Sequence, residues 1–317
     1  MYSAESLQAA QRIVRASMPA TPQQRWPLLD QRVGAQVWVK HENHTPVGAF
    51  KLRGGLVYFD ALRTREPHCT GVISATRGNH GQSVGYAARL HGLKALVVVP
   101  HGNSVEKNAA MRALGVELIE HGTDFQAARE HAVRLADERG LHMVPSFHDD
   151  LVRGVATYWI EFFEAVQPEA VFVPIGQGSG ICACAAARAH TGSRALIVGV
   201  VSAHATAYRQ SYQAGRLIES EVTTRLADGM ACRLPDQNAL DIIRREVDDV
   251  LAVTDDEVAW AMRALFADTH NVAEGAGAAA LAGAMQRRSR WAGRSIGITL
   301  SGGNVDSAVF AAVLTQA

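Results

Sequence analysis

Short, mainly apolar runs punctuate this chain, separated by longer stretches in which apolar residues recur at helical spacing. Residues 37–40, 71–74, 95–100, 116–120, 170–175, 196–201 and 295–300 read as strands. Several, such as Leu96-Val97-Val98-Val99 and Ile296-Gly297-Ile298-Thr299-Leu300, are uncharged at consecutive rather than alternate positions. A strand exposed on one face alternates, whereas a strand covered on both faces need not, as in parallel sheets sandwiched between helices. The pattern therefore predicts an α/β fold, with mostly parallel sheets flanked by helices. No repeat, low-complexity tract or long linker interrupts it.

Size and composition narrow the picture. A chain of 317 residues that is 48% hydrophobic buries a large core and is expected to form two lobes. The strand groups place a smaller lobe at residues 71–148, inserted in a larger one made of residues 1–70 and 149–317. Lysine plus arginine equals aspartate plus glutamate at 31 each, so no basic excess exists to hold a nucleic acid. Small molecules are the expected partners. Residues 1–22 lack a sustained apolar stretch, and no later run approaches the roughly 18 apolar residues that cross a bilayer. Neither export nor membrane insertion is expected, and the setting is read as cytoplasmic. Cys69, Cys182, Cys184 and Cys232 form no CxxC pair, so they read as reduced thiols, not as a zinc or disulfide framework. His41 and His44 lack a third nearby ligand, and no metal site is expected.

Chemistry concentrates in the loops that follow strands. Phe50-Lys51 sits at a loop-to-helix junction after Gly48, where burial and a helix start would both favour a neutral amine able to attack a carbonyl. An ordinary lysine snorkelling at a helix start gives the same residues. The run Gly176-Gln177-Gly178-Ser179-Gly180 follows a strand and precedes an alanine-rich helix expected from Ile181, a setting in which converging amides bind phosphate. Its glycines fit neither GxGxxG nor a P-loop, which argues against a nucleotide, and a plain tight turn is the alternative. Residues 74–83 offer Thr76, Arg77, Gly78, Asn79 and His80 before a helix expected over 84–91, suited to a carboxylate or ring oxygen, or simply to capping. Ser301 ends the last strand before a helix expected from about 305, and reads as either a ligand contact or a cap.

Together these loops imply a ligand with a phosphate, a carbonyl and a ring, and here the chain resembles a known family. Six ordered segments carry the likeness: Lys40-His41-Glu42-Asn43 leading to Pro46-Val47-Gly48-Ala49-Phe50-Lys51-Leu52-Arg53-Gly54-Gly55, then Gly78-Asn79-His80-Gly81-Gln82, the 176–180 loop, Ala227-Asp228-Gly229, Glu274-Gly275-Ala276-Gly277 and Ser301-Gly302-Gly303-Asn304. The chain resembles the fold-type II pyridoxal-phosphate enzymes, nearest the threonine/serine dehydratase and serine racemase group. That resemblance implies a two-domain fold like the β subunit of tryptophan synthase, with pyridoxal 5'-phosphate held covalently by Lys51, which would also move the Cα proton. Phe50 would pack on the pyridine ring and Asn79 would bond its 3-hydroxyl oxygen. Gly176, Gln177, Gly178, Ser179 and Gly180 would cradle the phosphate, and Ser301 would meet the ring nitrogen. Thr76, Arg77, Gly78, Asn79 and His80 would receive the substrate. A homodimer or higher homo-oligomer is also implied.

The departures from the family pattern are as informative. Arg77 stands where the family usually has serine or alanine, and an arginine stays protonated, so racemisation by two bases is disfavoured. Either Arg77 contacts a substrate carboxylate or other polar substituent, or it turns outward into a salt bridge. Residues 199–207 lack the carboxylates that accompany an activating divalent cation in some relatives, Ala49 replaces a common serine, and Gln177 interrupts the usual glycine run. The chain ends too soon after Ser301 to accommodate the effector domain of biosynthetic threonine dehydratases, so feedback by isoleucine is not expected. The implied activity is a dehydratase, or ammonia-lyase, of amino-acid catabolism. It would convert a β-hydroxy-L-amino acid to a 2-oxo acid and ammonia, with threonine, serine, 3-hydroxyaspartate, 3-phenylserine or a hydroxylated diamino acid as candidates. Racemisation, β-replacement and a non-enzymatic cofactor carrier are the competing readings.

Overall fold

The computed structural model describes residues 2–315. In chain order the strands are β1 (Gln23–Arg25), β2 (Gln36–His41), β3 (Gly71–Ala75), β4 (Lys94–Val99), β5 (Glu117–Glu120), β6 (His142–Met143), β7 (Ala170–Pro174), β8 (Leu196–Ser202), β9 (Asp249–Val253) and β10 (Ser295–Leu300). They form a six-stranded sheet, ordered β1-β2-β10-β7-β8-β9, and a four-stranded sheet, ordered β5-β4-β3-β6. Only β1 runs antiparallel to its neighbour.

Covered faces explain the uninterrupted apolar strands. Helices Asp255–Thr269 and Gly275–Gln286 bury one face of the larger sheet, contributing Met262, Leu265 and Leu281 against Phe172, Val200 and Ile298. Helices Asp149–Ala165 and Ser179–Thr191 bury the other with Trp159, Phe162, Ile181 and Cys184 against Val171, Val173 and Ile197. The smaller sheet is likewise enclosed, by Val84 and Met111 on one face and Ala132 and Leu135 on the other. Cys182 and Cys184 are buried thiols in this core.

All seven expected strands form, within a residue or two at their ends, and three more appear. β1 and β6 are short and carry little apolar pattern of their own, because a partner's ladder defines them. β9 lies at the open edge of the larger sheet, where the acidic residues before Val250 obscured it. Three helices start away from their expected positions: Asn79–Leu90 instead of 84, Ser179–Thr191 instead of 181, and Ser307–Thr315 instead of 305. In the first, Asn79-His80-Gly81-Gln82-Ser83 has weak helix propensity, yet most of it is buried, and tertiary packing overrides propensity.

A buried ion network fixes the helix Lys51–Arg65 at its first turn. Arg53 is wholly buried and donates through Nε and Nη2 to Glu42 at 2.8 and 3.0 Å, and through Nη1 to Glu161 at 2.9 Å. Lys40 donates to Glu161 at 2.7 Å and to the Thr21 carbonyl at 2.9 Å. Two cations facing two carboxylates with their donors bonded satisfy the condition under which buried charge is tolerated. The network ties β2 to this helix and to Asp149–Ala165, and so sets where Lys51 stands.

Candidate active site

The site gathers at the carboxyl ends of β2, β3, β7 and β10, the edge at which open α/β sheets bind ligands. Phe50 donates its backbone N–H to the Ser301 carbonyl at 3.0 Å, and Gly303 donates to Gly48 at 2.9 Å. An antiparallel bridge between Ala49 and Gly302 completes this junction. Segments far apart in the chain thereby place Lys51 beside Ser301. Every residue expected at the site lines one cleft: Phe50, Lys51, Thr76, Arg77, Gly78, Asn79, His80, Gly176, Gln177, Gly178, Ser179, Gly180 and Ser301.

Lys51 opens onto the cleft, yet protein crowds its amine on every other side. Burial lowers its pKa to about 8, against the opposing pull of the Glu274 carboxylate. The amine lies 5.0 Å from the centre of the Phe50 ring. His80 is pushed down to about 3, by burial first and by Lys51 second, so it faces the cleft as a neutral imidazole. It can offer a substrate carboxylate a hydrogen bond but no charge.

The glycine loop is held from behind. Tyr208 donates its hydroxyl to the Gln177 carbonyl at 3.0 Å and accepts from the Asp236 N–H at 3.2 Å. Gly178 has φ +97°, and a Cβ there would sit 2.7 Å from the Ala239 methyl, so both backbone and space require glycine. The loop delivers its amides to the start of the 13-residue helix Ser179–Thr191, whose positive end favours an anion. Ser301 makes only a long 3.5 Å contact to the Ala276 carbonyl, which leaves its hydroxyl free to turn into the cleft.

Three cleft residues had drawn no role in the sequence: Lys107, Asp228 and Glu274. Lys107, from the helix Val105–Ala113, pairs with Asp228 at 2.8 Å and Glu274 at 2.9 Å. Burial disfavours its charge, but the two carboxylates outweigh burial and raise its pKa. Burial raises the pKa of Glu274, with Lys107 opposing. Glu274 in turn accepts from Asn79 Nδ2, while Asn79 Oδ1 accepts from Asn304 at 2.9 Å. Both ends of the Asn79 amide are thus fixed, and one N–H remains for a ligand. Gly78 lies over Lys107 with φ +153°, and a Cβ there would meet Lys107 Cδ at 2.3 Å. The sequence carried one signal of this trio, two acids in recognised segments without an assigned cation; Lys107 lies in no segment that the sequence singled out.

The chain is similar to several known proteins along nearly its whole length. Residues 14–302 match the family described as "Pyridoxal-phosphate dependent enzyme". L-threonine ammonia-lyase of Geobacter sulfurreducens is 37% identical over 289 residues, which cover 90% of this chain and 71% of that protein. L-threo-3-hydroxyaspartate ammonia-lyase of Saccharomyces cerevisiae is 32% identical over 290 residues, covering 91% and 89% respectively. Among solved structures, the processed form of threonine deaminase isoform 2 from Solanum lycopersicum superimposes with a TM-score of 0.89 at 27% identity, covering 100% of this chain and 95% of that one.

Proposed function

Because the chain belongs to the family of pyridoxal-phosphate-dependent enzymes, we propose that its cleft removes the elements of water from a β-hydroxy-L-amino acid of the threonine and serine kind, releasing a 2-oxo acid and ammonia. The observation that carries this reading is the Lys51 amine, held near a pKa of 8 between the Phe50 ring, the glycine loop and Ser301. The residues fit the cofactor part by part. Amides and a helix start suit its phosphate, the Phe50 ring suits its planar face, the spare Asn79 N–H suits its hydroxyl oxygen, and the Ser301 hydroxyl suits its ring nitrogen.

Bound pyridoxal phosphate supplies the electron sink that lets the Cα–H bond break. The chain supplies geometry and proton movement. Lys51 takes the Cα proton, because an amine with a pKa near 8 accepts a proton at neutral pH and gives it back. The loop 76–80 receives the substrate α-carboxylate on the Thr76 hydroxyl, the first amides of the helix Asn79–Leu90 and neutral His80, which directs Cα–H toward Lys51. Ser301 would hold the cofactor's ring nitrogen with a hydroxyl, which does not enforce protonation of that nitrogen and so would suit prompt elimination over a long-lived carbanion.

Residues 71–148 are taken as the smaller lobe, since the four-stranded sheet draws on residues 71–143 alone. The described residues contain no helix long and apolar enough to cross a membrane. A panel of serine, threonine, 3-hydroxyaspartate and 3-phenylserine, scored for 2-oxo acid, ammonia and enantiomer, tests the function. Stoichiometric 2-oxo acid and ammonia are expected. Inversion at Cα with no 2-oxo acid would replace the lyase by a racemase.

A further inference from the structure

The cleft holds one cation that no protein carboxylate neutralises. Arg77 borders both the inner cleft around Lys51 and a wider outer recess with Phe125, Ser146 and Gln177 on its walls. Among the described residues its guanidinium has no ion-pair partner, and its Nε is buried without a hydrogen bond. The other cations of the inner cleft are accounted for, and Arg129 on the outer recess is exposed to solvent. Lys107 carries two carboxylates, His80 is neutral, and Lys51 is committed to the cofactor. Of the four acids on the outer recess, Asp124 caps the helix Phe125–Arg139 through the Ala127 N–H at 2.8 Å, Asp236 caps the helix Gln237–Glu246 through the Ala239 N–H at 3.1 Å, and Glu219 pairs with Arg233 at 2.9 Å, while Glu221 is exposed and forms no ion pair with Arg77.

A substrate α-carboxylate does not need this guanidinium, since the helix start and the Thr76 hydroxyl already offer neutral donors. Against a methyl or a hydrogen, as in threonine or serine, Arg77 would be desolvated with its fork of donors unmatched. A carboxylate is the planar, two-oxygen partner that the fork fits. We propose that Arg77 receives a second carboxylate at the end of the substrate side chain, which makes acidic β-hydroxy amino acids the preferred substrates.

The proposal rests on the elimination reading above, and the distal carboxylate keeps all its bonds throughout. The Cα–H bond breaks with its proton passing to Lys51. The Cβ–O bond then breaks, and its oxygen leaves as water after taking up a proton. The remaining enamine gains water and loses ammonia, leaving a 2-oxo diacid.

Initial rates of 2-oxo acid formation from threo-3-hydroxyaspartate, L-threonine and L-serine, by the cofactor-loaded wild type, Arg77→Ala and Arg77→Lys, test it. Wild type should favour the diacid in kcat/KM, and Arg77→Ala should lower the diacid-to-threonine ratio about 10- to 100-fold, with partial recovery in Arg77→Lys. Thermal stabilisation of the loaded wild type by succinate should exceed that by butyrate, and Arg77→Ala should abolish the difference. Equal losses on all substrates, or turnover of threonine and serine with no preference dependent on Arg77, would overturn the proposal and leave the lyase standing. No 2-oxo acid from any of the three in wild type would overturn the lyase reading itself, and this proposal with it.

Discussion

Lys51 shows how one side chain acquires chemistry from its surroundings. An exposed lysine amine is almost wholly protonated at neutral pH, whereas the crowding around Lys51 brings its pKa to about 8 even with the Glu274 carboxylate pulling the other way. The lowered pKa has a consequence for stability. With the folded value brought down from 10.5, the unfolded chain binds more protons between about pH 8 and 10.5. Stability of the cofactor-free protein is therefore expected to rise with pH across that window, by up to about 3 kcal/mol. Lys51→Met should remove that rise. Denaturant titrations of both proteins at about pH 7.5 and 10 measure it, and parallel behaviour would mean that the amine is not desolvated. Sequence alone left Lys51 balanced between a reactive amine and a snorkelling one, because burial is a property of the fold and not of the flanking residues.

At the scale of elements, the Lys51–Arg65 helix is held in place by charge as much as by apolar packing. Replacing Arg53 with methionine would strand Glu42, fully buried, without its bidentate donor. Breaking a buried pair in this way costs about 3–5 kcal/mol, so Arg53→Met should lose stability of that order in urea unfolding. A loss below about 1 kcal/mol would mean that water or rearrangement satisfies Glu42. Elements whose own residues carry an unbroken apolar run were legible in the sequence: the covered strands β4, β7 and β10 announced both themselves and the layered architecture. Elements defined by a neighbour were not. β1 and β6 exist because a partner strand offers a ladder, and the helix Asn79–Leu90 begins on residues of weak propensity that are held there by packing from the surrounding protein.

Across the whole molecule, the site is assembled from parts that no local pattern connects. Lys107 stands on a helix of the four-stranded sheet's layer, while Asp228 and Glu274 come from the body of the six-stranded sheet, and their ion pairs close the cleft from opposite sides. The N-terminus of that same helix is bonded by Asp306: the Val105 and Glu106 N–H groups each donate to it at 3.2 Å. Loop contents could be read from sequence, and so could their joint ligand. The trio around Lys107 could not, since its members are widely separated in the chain and only the packing of the two sheets brings them into contact. The convergence of these distant loops on a single cofactor is tested most directly by loading the protein with pyridoxal phosphate, reducing it with borohydride and mapping the adduct by peptide mass spectrometry. One pyridoxyl group on Lys51 is the expected result. An adduct on Lys40, Lys94 or Lys107 in its place, or none at all, would contradict it.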